Sequence, residues 1–376
     1  MLTTLSSDGN IRADRVAPSV QPVDPLEFRG NRLSGNRRPT MRDVAAHAGV
    51  SFKTVSRVVN GEGGVSPNLV TKVEAAVDEL GYRPDQRARL LRRSTSAPTT
   101  IGFVMVDVAN IFFSNLLRGI EDVAMGRQCL VLAGSTEGVV ERERQLVETF
   151  VERRVAGLIV VSWGAAVETL RSEMIRGTPV VFVDAEPEIP DLEIDVVRSD
   201  HRAGAIAATR HLLAHGHTDI AYFGDDPAIF SAGLRLDGFR WALAEAGLSA
   251  VPGREVTGSH SHQEWTGIID RYLAVSPQPT AIFTAQNFVT LGAVRALHRL
   301  GLRDSVAHVG FDDIDLADAV TPGVTVIPQD PRDLGRRAAH QLFRRLDGEL
   351  GPAVRQIIAS DVIARGSGEI RRGPPE

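Results

Sequence analysis

Residues 40–60 read TMRDVAAHAGVSFKTVSRVVN. Thr40 followed three residues later by Asp43 has the pattern of a capping box, which predicts a helix starting at Met41. Val44, Ala45 and Ala48 give that helix an apolar face, and Gly49 ends it. Ser51 can cap a second helix, on which Val55, Val58 and Val59 recur at spacings of three and four and so point inward. Phe52, Lys53, Ser56 and Arg57 are left on the outer face near the N-terminal end. Two short helices joined by a tight turn, the second offering polar and basic side chains, have the form of a recognition helix built to enter a DNA major groove.

Working outward, Asn60-Gly61 and Gly63-Gly64 form a loop. Ser66 and Pro67 then open a third helix, whose buried face is Val70, Val73, Ala76, Val77 and Leu80 and whose end is Gly81. Pro84 blocks a continuous helix beyond this point. The following segment is too short to be a stable isolated helix. Together with Val65-Ser66-Pro67, Glu79-Leu80-Gly81-Tyr82-Arg83-Pro84 and Ala88-Arg89-Leu90-Leu91-Arg92, the opening stretch resembles the headpiece of the LacI-type (lactose-repressor-like) bacterial transcription regulators. The resemblance implies base contacts at Phe52, Lys53 and Arg57. Arg57 suits guanine O6 and N7 in a bidentate contact, Lys53 the same acceptors, and Phe52 a thymine methyl. Ser51, Thr54, Ser56 and Asn60 suit phosphate oxygens, which set register without reading sequence, and Thr40 is a further candidate for DNA contact. By the same resemblance Leu91 wedges into the minor groove at the operator centre; packing of Leu90 and Leu91 onto the body is the other reading.

From Thr100 onward, β-rich runs alternate with helical patterns. The runs are Ile101–Val106, Cys129–Ala133, Gly157–Val161 and Val180–Asp184, with helices near 113–125, 139–154 and 166–176. A second series has Ile220–Gly224, Ala281–Thr284, Ala307–Phe311 and Val324–Ile327, with helices near 201–215, 234–246, 262–274 and 288–300. Repeated β-then-α units predict parallel sheets covered by helices, in two lobes, with ligands beyond the carboxyl ends of the strands. The resemblance implies a periplasmic-binding-protein-like α/β body with an interlobe cleft and three crossovers, placed near Ser199, Pro322 and Ser360. The expected division is a disordered arm over 1–38, the helix-turn-helix domain over 39–82, a hinge over 83–98, the effector-binding and dimerisation body over 99–368 and a tail over 369–376.

Candidate effector ligands follow strand ends. Phe112 and Phe113 stand in Asn110-Ile111-Phe112-Phe113, where the family usually reads Asn-Pro-Phe-Phe, and core packing is their other reading. Ser231 and Arg235 match family positions that hold the effector. Asp312 matches a carboxylate that accepts from ligand hydroxyls, and Asp184 is a second acid from the other lobe. Gln286-Asn287 replaces the usual Asn-Asp and puts the hydrogen-bond pattern there in doubt. His260 and Trp265 align only loosely with a loop that often supplies an aromatic cover. His211, His215 and His217 fall at a helix end closed by Gly216 and are read as structural rather than metal-binding. The acids Asp312, Asp313, Asp315 and Asp318 are read as a helix N-terminus, not a calcium loop.

The formal net charge of −5 is unevenly placed: residues 37–93 hold eleven Lys/Arg against six Asp/Glu. A basic module on an acidic body predicts nucleic-acid contact at one end. The single cysteine, Cys129, excludes an internal disulfide framework. No run of about 18 apolar residues is present to span a membrane, and the first residues lack the pattern of a secretory signal, so a cytoplasmic location is expected. Neither a GxxxxGK[ST] loop nor a GxSxG elbow is present; no cofactor, metal or catalytic role is expected. The expected function is ligand-responsive regulation of transcription, in the sense of a repressor. A homodimer would bind double-stranded DNA at a pseudo-palindromic operator under control of a small-molecule effector. That effector is expected to be a sugar or sugar derivative, nucleobases being the other class in the family. A tail without leucine heptads favours the dimer over a tetramer. The alternative, a solute receptor feeding a transporter, would share the body but lack the basic headpiece.

Overall fold

A computed structural model describes residues 39–59, 63–82, 100–162, 164–275 and 277–372, which form two compact units. The expected arm, the whole of the expected hinge (with Leu91) and Asn60 lie outside the described residues.

The first unit contains α1 (Met41–Ala48), α2 (Phe52–Val59) and α3 (Pro67–Leu80). The capping box at α1 is complete: Asp43 N donates to Thr40 Oγ1 at 3.4 Å, and Thr40 N donates to Asp43 Oδ2 at 2.7 Å. Gly49 ends α1 at φ 65°, a left-handed conformation that glycine adopts without steric cost. Thr54 N then donates to Ser51 Oγ at 3.1 Å, capping α2. Val44, Ala45, Val55, Val73 and Ala76 meet in the centre with Tyr82, and Val58, Val59, Val77 and Leu80 pack around them. Val70 is only half-buried. Tyr82 is the core member that helical periodicity misses, because it lies beyond the end of α3.

The second unit is a pair of lobes. The first has β1 (Thr100–Met105), α4 (Ile111–Gly126), β2 (Leu130–Ser135), α5 (Val140–Glu152), β3 (Leu158–Val160), α6 (Val167–Ile175), β4 (Val180–Val183) and β5 (Asp195–Ser199). The second has α7 (His201–Ala214), β6 (Ile220–Gly224), α8 (Phe230–Glu245), β7 (Glu255–Thr257), α9 (His262–Leu273), β8 (Ala281–Thr284), α10 (Asn287–Leu300), β9 (Ala307–Phe311) and β10 (Thr325–Ile327). The chain then returns to the first lobe as α11 (Pro331–Leu346) and β11 (Arg355–Ile358). Both sheets are parallel, in orders β11-β5-β4-β3-β1-β2 and β10-β9-β8-β6-β7. Each is covered on both faces: α4 and α11 oppose α5 and α6, and α7 and α8 oppose α9 and α10.

Several expectations are corrected here. The second crossing follows Ile327, at Gln329–Asp330, because Pro322 precedes β10 and the chain must complete that strand in the second lobe first. The acids after β9 do not start a helix: residues 312–324 run through turns before β10, and the next helix opens at Pro331. The boundary set at residue 368 cuts a segment that packs on the second lobe. His211 Nε2 pairs with the Glu369 carboxylate, His217 Nε2 bonds to the Ile370 carbonyl at 2.7 Å, and Ile370 joins the apolar cluster. His211 and His217 thus hold residues 369–370 against the second lobe, whereas His215 Nδ1 lies 2.8 Å from the His211 carbonyl within its own helix end.

α4 and α11 cross at glycines. A Cβ on Gly335 would lie 2.2 Å from the Leu116 carbonyl oxygen, and one on Gly119 would lie 2.1 Å from that of Arg332. Since backbone cannot move aside as a side-chain tip can, Gly335→Ala should destabilise the body by roughly 2 kcal/mol or more. Denaturant unfolding measures this, and an unchanged midpoint would refute the close crossing.

Candidate functional site

Two surfaces carry the candidate residues. On the headpiece unit, Phe52, Lys53 and Ser51 are exposed, while Thr54, Ser56 and Arg57 are half-buried along the same helix. Phe52 keeps 44% of its surface exposed although it is a large apolar residue. Val55 beneath is fully buried, so the helix is anchored by its inner face and presents the outer one. Thr40 and Ser51 also serve as caps, and Ser51 Oγ lies 2.8 Å from Thr54 Oγ1.

On the body, a cavity of about 910 Å³ opens between the lobes at the carboxyl ends of the strands. Phe112, Phe113, Asp184, Ser231, Arg235, Gln286 and Asp312 all line it. Sequence distance among these runs to two hundred residues; the parallel topology gathers them, since the carboxyl ends of β1–β4 and β6–β10 open on the cleft. Phe112 and Phe113 meet edge to face with ring centroids 5.2 Å apart. Asp184 and Asp312 each end a strand with positive φ, 55° and 68°, a region that non-glycine residues seldom enter and that concentrates at functional sites. Gln286 has one end of its side chain engaged: Oε1 accepts from Phe288 N and Val289 N and caps α10, which leaves only its Nε2 end for a ligand.

The floor of the cleft is a buried polar cluster. Arg235 lies over the Phe311 ring at 4.1 Å, donates from Nη1 to the Ala285 carbonyl at 2.7 Å, and places Nη2 3.3 Å from His201 Nδ1. His201 is fully buried, with Nε2 2.9 Å from Asp184 Oδ1. At that distance the Asp184 carboxylate attracts the imidazole electrostatically, although neither atom has an aligned hydrogen bond. Burial pushes His201 below its ordinary range, opposed by Asp184. Burial pushes Asp312 up, opposed by Arg235 and by Gln329, whose Nε2 donates to it at 2.5 Å. Arg235 Nε and Gln329 Oε1 are buried without a hydrogen-bond partner. Buried polar atoms left open in this way are costly unless something fills their valences.

Sequence reasoning missed Asp225, Gln329 and His201 as site residues, and noted Asn287 only as a departure from the family pattern. Asp225 ends β6 and was legible by the strand-end rule that found Asp184; the others have no local signal. Trp265, loosely expected as a cover, is core of the second lobe, and His260 stacks edge-on against it at 5.0 Å while facing the cleft.

Comparison with known proteins fits both surfaces. Residues 40–85 match the model described as bacterial regulatory proteins, lacI family, and residues 209–368 match the periplasmic binding protein-like domain. The ribose operon repressor of Escherichia coli strain K12 is 34% identical over 332 residues, spanning 87% of this chain and 99% of that repressor. The chain belongs to the lacI family. The HTH-type transcriptional repressor PurR of Vibrio campbellii is 32% identical, covering 82% of this chain and 92% of its own. A crystal structure of the lac repressor dimer bound to operator and the anti-inducer ONPF superposes with a TM-score of 0.77 at 28% identity, over 88% of this chain and 99% of that one. This lacI-family regulator therefore joins a helix-turn-helix DNA-binding unit to a two-lobed effector body.

Asp225 gives the cleft a pH dependence. Burial raises its carboxyl to about 6 from an ordinary value of 3.8, opposed by Arg235 and reinforced by Asp312. Between those values the folded form holds a proton that the unfolded form has released, so stability from this group falls as pH rises from 3.8 to about 6. The stability of Asp225→Asn relative to the parent should thus grow over that window and level off above it. Unfolding curves at several pH values measure the difference, and a flat difference would contradict the assignment.

Proposed function

We propose that the chain is a repressor acting as a cytoplasmic homodimer on a pseudo-palindromic operator, controlled by an uncharged, polyhydroxylated small molecule of the sugar class held in the cleft. The observation that carries the ligand class is the charge of the lining. Asp107, Glu137, Asp184, Asp225 and Asp312 face the cavity, against Arg235 as the one lysine or arginine among the described lining residues. The two terminal nitrogens of Arg235 are already directed at Ala285 and His201. A phosphate or carboxylate entering this space would meet acids, whereas carboxylates accept readily from hydroxyl groups. The rings of Phe112, Phe113, Phe230 and Phe288 supply flat apolar faces for the C–H side of a sugar ring. The similarity to a repressor named for the ribose operon supports the same class.

Phe52, Lys53 and Arg57 are assigned to base edges, and Thr40, Ser51, Thr54, Ser56 and Asn60 to phosphates. Leu91 is assigned to the minor groove. Pairing two such units gives a two-fold surface for a two-fold site, in keeping with the lac repressor dimer on its operator. The cleft residues are given a binding role rather than a catalytic one, since the polar groups on its floor bond to each other in place of forming an activated nucleophile with its base.

Selection of bound fragments from genomic DNA by the full-length protein tests the DNA assignment; a few pseudo-palindromic sites are expected, and sequence-blind binding would overturn it. On such a site Arg57→Ala should cost about 1–3 kcal/mol and relax discrimination at one base position, whereas uniform loss across sequences would remove Arg57 from base reading. Thermal shift against neutral pentoses and hexoses, sugar phosphates and purine bases tests the ligand. Stabilisation by a neutral sugar is expected, and stabilisation by a phosphate or a base alone would overturn the sugar class.

A further inference from the structure

Between the lobes, the side chains of Asn110 and Asn287 bond to each other in both directions. Asn287 Nδ2 donates to Asn110 Oδ1 at 2.7 Å, and Asn110 Nδ2 donates to Asn287 Oδ1 at 3.3 Å. Asn110 belongs to the first lobe and Asn287 to the second, and both are buried. The pair joins the lobes through protein atoms alone.

The orientation of each amide is set by its own helix. Asn110 Oδ1 accepts from Phe112 N at 3.0 Å and caps α4; Asn287 Oδ1 accepts from Phe288 N at 2.7 Å at the start of α10. With both oxygens held at helix N-termini, both amide nitrogens are turned toward the opposite lobe. Neither amide can flip without giving up its helix contact. Asn287 N also donates to Asp312 Oδ2 at 3.3 Å, so the pair is tied to a carboxylate of the cleft floor. An acid at position 287, which is what the family resemblance makes usual there, could accept from Asn110 but could not donate to it. The two-way bond is thus a property of this chain's own residue.

We infer that Asn110 and Asn287 are positioning residues, an amide clasp that fixes the closed spacing of the lobes and thereby sets how tightly the cleft holds its ligand. The clasp rests on the proposed cleft ligand only for its effect on affinity; its effect on lobe spacing does not depend on what the ligand is. When the lobes part, both amide nitrogens lose their interlobe acceptor and each oxygen keeps only its helix N–H, so the closed arrangement is favoured before any ligand contact is counted. A ligand that binds the closed form gains from that bias.

The test uses full-length protein in a Cys129→Ala background, with spin labels on Gln145→Cys in the first lobe and Gln263→Cys in the second. Neither site lines the cleft. The unliganded parent should give one narrow distance distribution. Asn287→Asp, which the family pattern shows the fold accepts, loses the 2.7 Å bond and sets two oxygens against each other, and should broaden the distribution toward longer distances. Asn110→Asp keeps that bond and should fall between, and the double variant should open furthest. Distributions for Asn287→Asp and the double variant that superpose on the parent would overturn the clasp. In parallel, affinity for whichever neutral sugar stabilises the parent should weaken about fivefold to tenfold in Asn287→Asp, with an equal affinity overturning the effect on ligand grip. Should no neutral sugar bind the parent, the sugar reading fails while the distance measurement still decides the clasp.

Discussion

Charge buried between two lobes must be matched where it stands, and the chain meets that requirement at the cleft floor. Asp184 from the first lobe faces His201 at the first residue of the second lobe, His201 faces Arg235, and Arg235 rests on Phe311. Asp312 closes the set from the end of β9, held by Gln329 beside the second crossing. These contacts sit where the chain passes from lobe to lobe, so any change in how the cluster is satisfied bears on the angle between the lobes. A ligand that fills the open valences of Arg235 Nε and Gln329 Oε1 changes that balance. Binding chemistry and lobe geometry are in this sense one system.

The headpiece works by a separate economy of residues. Its core is six buried side chains with a ring of partly buried, mostly valine side chains around them, aided by the caps at Thr40, Gly49, Ser51 and Gly81. Because the caps and the inner face of α2 fix the helices, exposed residues of the outer face such as Phe52 and Lys53 can carry contacts chosen for DNA. Phe52 and Lys53, exposed on that face, contribute nothing to this core.

Much of this was legible in sequence for local reasons. Thr40 with Asp43, Gly49, Ser51, Ser66-Pro67 and Gly81 are short-range signals, and the helix limits in the headpiece follow from them. Strands β6, β8 and β9 were read at their true limits because each is a continuous apolar run fully buried on both faces. β5 escaped notice since Asp195 and Arg198 break its apolar run; Asp195 is satisfied by Arg345, 150 residues away, and by the Val354 N–H. α11 was missed for a similar reason: its buried positions Leu334, Ala338, Ala339, Leu342 and Phe343 are interleaved with arginines, and Gly335 lies within it. At the site, strand-end placement offered Asp184 and the family resemblance offered Ser231, Arg235 and Asp312, but neither gave pairs made across the lobes. Asn110 and Asn287 are 177 residues apart, and each alone looks like an ordinary helix cap.

If ligand and operator are coupled through one change in lobe geometry, the coupling must be reciprocal. The direct measurement is a pair of titrations at one salt concentration: operator affinity with and without a stabilising neutral sugar, and sugar affinity with and without operator. Coupled sites predict that the two ratios differ from one and equal each other. Ratios of one in both titrations would contradict the regulatory coupling between cleft and headpiece.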